Sequence, residues 1–358
     1  MVTYTELSLT AQTAYAQLLE AALVAEHLRS VADLSGSFAS KSVRGTKYWY
    51  FQYTEPSGKL RQVFVGPDTA PVHALMARKA QPPAAAALGP LARSCAALGC
   101  SAILLRHLRV LQRLAEYGFF RAGGVLIGTH AFLAFGNMLG VRWGDGSRTQ
   151  DLDFAHAGKR LSIVLPGDVP VRTHDAIRSL EMGFLPISGL SSKAGASYLN
   201  PREPGFKLDF LTTLHRKGEE PYEHPQLGVT MQPLKFMEFS LEKVQQAVLF
   251  AGDRCVVANV PQPARYALHK LLVYGEREGT FAAKASKDLL QARLLLEYLK
   301  EHRASEVDEA WADLVSRGPG WVRRARHGRA ALDKLTPALQ VKNWLRRNRS
   351  IDSKLNSF

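Results

Sequence analysis

Arg148-Thr149-Gln150-Asp151-Leu152-Asp153-Phe154 sets two carboxylates one residue apart in a short, strand-like run. In a β-strand residues i and i+2 point to the same face. Asp151 and Asp153 therefore project together, while Leu152 and Phe154 turn into the core. Two unpaired carboxylates side by side repel, and burying them is costly. A divalent cation relieves that repulsion, and Mg²⁺ prefers carboxylate oxygens and substrate phosphates. Taken alone, the same residues also read as an Asp-rich turn leaving a helix. Two other stretches argue for the metal-binding reading.

Upstream runs Gly123-Gly124-Val125-Leu126-Ile127-Gly128-Thr129-His130-Ala131-Phe132. Its apolar run is bracketed by glycines and followed by helical spacing through Ala134, Phe135 and Met138, which predicts strand, tight turn and helix start. A helix N-terminus of this kind attracts phosphate. The stretch is neither a P-loop nor a dinucleotide fingerprint, for it lacks both glycine patterns. Downstream, Phe206-Lys207-Leu208-Asp209-Phe210-Leu211 alternates. Phe206, Leu208 and Phe210 share one face, and Lys207 and Asp209 share the other. Asp209 on a neighbouring strand supplies a third acid.

A glycine turn, an Asp-x-Asp strand and an apolar-Asp-apolar strand, in that order, resemble the nucleotidyltransferase fold of the DNA polymerase β superfamily. Arg-Thr-x-Asp-Leu-Asp-Phe resembles the abortive-infection-type nucleotidyltransferase toxins. The chain as a whole resembles a bacterial group of nucleotidyltransferase-fold proteins in which a tyrosine-rich hairpin precedes the core. The core motifs cover about residues 118–215. The resemblance implies an α+β fold with a polymerase β-type core, and NMP transfer from a nucleoside triphosphate to an acceptor. It implies two Mg²⁺ (or Mn²⁺) ions held by Asp151, Asp153 and Asp209. It further implies nucleotide contacts from Gly123, Gly124, Gly128, Thr129, Arg148 and Lys207, and from Lys270 on the first helix after the core. An antitoxin protein partner belongs to the same implication. The chain departs from the usual pattern in one respect. The common Gly-Ser after the first strand is replaced by Gly123-Gly124 before it and Gly128-Thr129 after it. A catalytically silent binding module on the same fold stays open as the alternative, as does a protein or small-molecule acceptor. His130, at the predicted helix start, reads as structural rather than as a base.

Composition favours a polyanionic partner. The 358 residues carry 46 Lys and Arg against 32 Asp and Glu, a net charge of +14. That excess points to RNA as the acceptor. Three cysteines without a Cys-x-x-Cys pattern fit a reducing cytoplasm, and no signal peptide or membrane-spanning run is read.

The remaining organisation follows from periodicity. A helix is predicted over about 8–33. A hairpin follows, from Lys47-Tyr48-Trp49-Tyr50-Phe51-Gln52-Tyr53 and Leu60-Arg61-Gln62-Val63-Phe64-Val65 around Glu55-Pro56-Ser57-Gly58. Its first strand is aromatic on both faces. One face is predicted to pack, on the first helix, and the other to offer stacking surfaces beside Lys41, Arg44, Lys47, Lys59 and Arg61. Residues 68–93 form an Ala/Pro-rich connector, and a single helix is predicted over Ala92–Tyr117. A strand at Leu161–Pro166, a helix at Ala176–Met182, a Gly/Ser-rich loop at Gly189–Ser197 and a strand near Val256–Val260 follow. Helices fill the rest, ending in a basic tail from Arg323 to Arg349. The predicted units are 1–67 (helix and hairpin), 68–93 (connector), 94–262 (core) and 263–358 (helical region).

Overall fold

The computed structural model describes residues 4–27, 36–54, 60–80, 87–144, 149–157, 171–188, 194–214, 218–276 and 282–345. After β1 (Tyr4–Glu6), helix α1 (Leu9–His27) buries Ala11, Ala14, Tyr15, Leu18 and Ala22, the stripe a helix gives to a core. Strands β2 (Ser37–Val43), β3 (Thr46–Thr54) and β4 (Leu60–Pro67) make an antiparallel three-stranded sheet. The predicted hairpin is β3–β4, with its turn outside the described residues, and β2 is an additional strand. Helix α2 (Ala70–Ala80), rather than α1, packs on this sheet.

The predicted helix over 92–117 is two helices, α3 (Leu88–Ala97) and α4 (Leu105–Glu116). They part at Gly99, whose φ of +93° ends the first. The segment between them is held by Asn137: its Oδ1 accepts from the Ser101 N–H (2.7 Å), and its Nδ2 donates to the Ser101 carbonyl (2.9 Å).

The core then runs through β5 (Gly124–Ile127), α5 (Gly128–Leu139), β6 (Val141–Trp143), β7 (Leu152–His156), α6 (Thr173–Arg178), β8 (Leu185–Ser188), β9 (Ala194–Asn200), β10 (Glu203–Thr213), β11 (Tyr222–His224) and β12 (Val229–Leu234). Seven of these strands form one mixed sheet, ordered β11-β12-β10-β7-β5, with β9 on β10 and β8 on β9. Strand β10 is parallel to β7 and β12 and antiparallel to β9. Part of the predicted Gly/Ser loop is thus strand β9. The predicted strand at 161–166 lies outside the described residues, and the helix predicted over 176–182 is α6, three residues earlier at its start.

Alternation gives the sheet two unlike faces. Leu126, Leu152, Phe154, Leu208 and Phe210 enter the main core, where the Phe154 and Phe210 rings stack at 5.1 Å and Phe119 meets both edge-on. The other face carries Val125, Ile127 and Ala155, which cluster with Met237 and Leu241 of α7 (Met237–Leu241). Asp153 and Asp209 stand on that second face.

One strand was predicted near 256–260, where the chain forms a hairpin, β13 (Val244–Ala251) with β14 (Arg254–Pro261). The helices α8 (Pro263–Glu276), α9 (Ala282–His302), α10 (Ala304–Ser316), α11 (Pro319–Leu335) and α12 (Val341–Trp344) complete the fold. The first part of the basic tail is the packed helix α11. There Arg329 is buried over the Trp311 ring and Arg324 pairs with Glu276. Arg346, Arg347 and Arg349 lie outside the described residues.

Candidate active site

Parallel pairing of β7 with β10 sets Asp153 directly opposite Asp209, with Leu152 opposite Leu208 and Phe154 opposite Phe210. The apolar pairs fix the register by burial, because a one-residue slip would turn both carboxylates into the core. Antiparallel pairing of β5 with β7 puts Ile127 beside Asp153, so the chain turns into α5 next to that carboxylate. Gly128 sits at the turn with φ of +63°, and a Cβ there would run into Asp153 Oδ2. The glycine thus serves both the left-handed backbone and the close approach of the carboxylate. Asp151 lies one residue before β7, its N–H donating to Thr149 Oγ1 at 3.3 Å. Ser197, on β9, donates to Asp209 Oδ1 at 2.5 Å.

The acids disturb one another. Burial, then the charge of Asp209, pushes Asp153 up to about 6, with Lys270 opposing. Asp151 is raised by burial and by Asp209, against Lys207, Lys284 and Lys287. Lys287 is lowered by burial and by Lys270, while Asp153 and Asp151 favour its charged form. Burial and the like charge of Asp209 thus disfavour the ionised forms of Asp151 and Asp153.

A buried polar layer lies behind the turn. The Tyr266 hydroxyl is 2.8 Å from both the Gly128 carbonyl and Gln291 Oε1, and Gln291 Nε2 donates to Thr129 Oγ1 at 3.3 Å. Lys270 Nζ is 2.6 Å from Asp288 Oδ1 and sits over the Tyr266 ring. Burial works against its charge, but Tyr266 and Asp288 outweigh it and keep Lys270 protonated. On the α4 side His130 Nε2 meets His107 Nδ1 at 2.9 Å. Burial lowers His130 to about 3 and His107 to about 4, so the pair is neutral packing, as predicted for His130.

The structure therefore brings together Asp151, Asp153, Asp209, Gly128, Thr129, Lys207 and Lys270. It separates Gly123 and Gly124 from them. Gly124 pairs with His156 at the far end of β5, about 10 Å of strand from Ile127. Asn259 Nδ2 donates to the Gly124 carbonyl at 2.8 Å, which makes that end a structural turn. Arg148 lies outside the described residues. Several neighbours of the site escaped the sequence reading: Ser197, Tyr266, Lys284, Lys287, Asp288 and Gln291. The last four fall at i, i+3, i+4 and i+7 of α9, a polar stripe on one helix face. That spacing was the available signal, masked by the helix's leucines.

Residues 106–316 match the protein-family profile described as Nucleotidyltransferase. The chain is a member of that nucleotidyltransferase family. No curated protein matches it. A crystal structure of an antigenic nucleotidyltransferase-like protein from Paracoccidioides brasiliensis is 16% identical, aligned over 62% of this chain and 91% of its own, with a TM-score of 0.31. Likeness at that level carries no argument about the site.

The donors present suit a hard divalent cation, since they are carboxylate oxygens with mutual repulsion to relieve. Among the described residues, no three His, Cys, Asp or Glu side chains are grouped to hold an ion unaided. Mg²⁺ does not need such a cage, because it is commonly bound by one or two carboxylates with water and substrate phosphates completing its octahedron. In this nucleotidyltransferase the carboxylates thus suit an ion whose remaining positions water or phosphate oxygens would fill. No helix among the described residues is long and apolar enough to cross a membrane.

Proposed function

We propose that this nucleotidyltransferase moves NMP from a nucleoside triphosphate to a hydroxyl of an RNA acceptor, on a core of the polymerase β type. The observation that carries the reading is the placing of Asp153 opposite Asp209 on parallel strands, with Asp153 against the turn into α5. Asp151, Asp153 and Asp209 would hold Mg²⁺, which when bound lowers the cost of charge developing on the attacking and leaving oxygens. The chain's own contributions are positional and electrostatic. The N-terminal N–H groups of α5 face incoming phosphate oxygens, an arrangement that suits anions. Lys287 and Lys284, at the same face as the acids, offset phosphate charge. Asp209, oriented by Ser197, takes up the proton of the acceptor hydroxyl as its oxygen bonds to the α-phosphorus and the bond to the departing pyrophosphate breaks. Tyr266 and Gln291 fix Gly128 and Thr129, and so fix the turn against which the nucleotide lies.

The positive balance of +14 supports an RNA acceptor over an apolar or cationic one. The test supplies each of the four triphosphates, labelled at the α-phosphate, with cell RNA or cell protein as acceptor. Products are then treated with RNase or protease. RNase-sensitive label from one preferred triphosphate is the expected result. Protease-sensitive label alone would overturn the RNA acceptor and keep the transferase.

A further inference from the structure

Away from the acids, the β2–β3–β4 sheet has one partly covered face, where Val63 stays 48% exposed, and one open face. On the covered face Phe51 is fully buried against Phe38, with ring centroids 5.3 Å apart. Beside it the Trp49 indole N–H donates to Asp68 at 2.5 Å, and His73 of α2 stands edge-on to the Trp49 ring. The opposite face gathers Tyr48, Tyr50 and Phe64 into one cluster. The Phe64 ring lies 6.0 Å from Tyr48 and 5.5 Å from Tyr50. Phe64 is 56% exposed, and both tyrosines are only partly covered. Lys41 Nζ stands 4.9 Å from the Tyr50 ring centroid and donates to Gln62 Oε1 at 2.6 Å.

An open aromatic face invites three kinds of partner: an apolar protein surface, a lipid surface and nucleic-acid bases. Charge decides among them. Residues 37–67 carry five Lys and Arg against one acid, and at the open rings themselves the cation is Lys41, while Lys47 lies over Trp49 on the opposite face. Open rings with a cation beside them, in a basic segment, match the two halves of a nucleotide chain, its base faces and its phosphates. We infer that the open face of this sheet binds single-stranded nucleic acid. Bases stack on Tyr48, Tyr50 and Phe64, and phosphates meet Lys41. The inference deepens the proposed function, resting on it for the strand being the RNA acceptor. Stacking is indifferent to base identity, so the surface gives grip rather than sequence choice.

The test titrates the full-length protein, with EDTA and without any triphosphate, into fluorescein-labelled oligouridylate of about 12 nucleotides, a length within the range such surfaces occupy. An oligothymidylate of equal length and a duplex of equal length are the comparison arms. Tyr50→Ala and Phe64→Ala should each weaken single-strand binding about 5- to 150-fold, the range for loss of one stacked base. Tyr50→Phe should bind within about twofold of the parent, because the ring face is kept. Lys41→Gln should weaken binding and reduce the salt slope by about one between about 50 and 200 mM salt. Circular dichroism checks that each variant is folded. Tighter binding of both single strands than of the duplex supports the inference. Unchanged affinity in folded Tyr50→Ala and Phe64→Ala, preference for the duplex, or no binding at low salt overturns it. The outcome is separate from catalysis. Asp153→Ala should lose transfer and keep oligouridylate binding, whereas absence of transfer in the parent protein, with its binding intact, would overturn the enzymatic reading alone.

Discussion

Replacing Asp153 by Asn should stabilise the metal-free protein and remove its response to nucleotide. Burial and Asp209 raise Asp153 from 3.8 to about 6. From about pH 4 to 6 the folded protein keeps a proton that the unfolded chain has released. The stability this provides is present at low pH and is lost as pH rises through about 6. Ionising a carboxyl held at about 6 rather than 3.8 corresponds to about 3 kcal/mol against folding above pH 7. Asn keeps the shape and removes the charge, so about 1–3 kcal/mol should return at pH 7.5, the lower part of the range allowing for imperfect hydrogen bonding of the new amide. The assay is urea denaturation at pH 5 and pH 7.5, in EDTA and then with Mg²⁺ and the preferred triphosphate. In EDTA the variant should be the more stable form at pH 7.5, and its advantage should shrink at pH 5. With ligand at about 100 times its Kd the parent should gain about 2.7 kcal/mol, and the variant almost nothing. The order of stability then closes or reverses. A variant less stable than the parent by more than about 1 kcal/mol in EDTA would make Asp153 a structural hydrogen-bonding residue instead of a repelled carboxylate.

Two further substitutions probe the turn and the helix stripe. Gly128→Ala forces a side chain into a left-handed backbone and against the Asp153 carboxylate; it should cost about 1–3 kcal/mol of stability and about 100-fold or more in transfer, read by denaturation and by single-turnover kinetics. Lys287→Ala should raise KM for the triphosphate about 10-fold or more by deleting a charge-assisted phosphate contact. Its metal-free stability should hold or improve, because burial and Lys270 already disfavour the charged lysine.

The parts of this protein legible in its sequence are those where a residue's own pattern sets its place. Alternation in Leu152–Phe154 and Phe206–Phe210 foretold both acidic strands and the face their carboxylates take, and burial of Phe154 and Phe210 is the reason. What escaped depends on partners far along the chain. Strand β9 is drawn from a Gly/Ser-rich segment by pairing with β10, and only Ala196 and Tyr198, which alternate into the core, carry a strand pattern there. The glycines flanking β5 look alike locally, yet only Gly128 lies by Asp153, because β7 runs antiparallel to β5. Lys284, Lys287, Asp288 and Gln291 sit in a helix whose leucines dominate its pattern, so their shared face became meaningful only with the acids opposite. The break at Gly99 was hidden in an Ala- and Leu-rich stretch that reads as continuous helix.

If Asp151, Asp153 and Asp209 serve transfer at the α-phosphorus, one triphosphate labelled at the α-phosphate and the same triphosphate labelled at the γ-phosphate must part company in Mg²⁺ with cell RNA. The α-label should enter the macromolecule and the γ-label should leave in pyrophosphate, with both signals lost in Asp153→Ala and Asp209→Ala. Transfer of γ-label to the macromolecule, or α-label transfer undiminished in either variant, would contradict that role of the three acids.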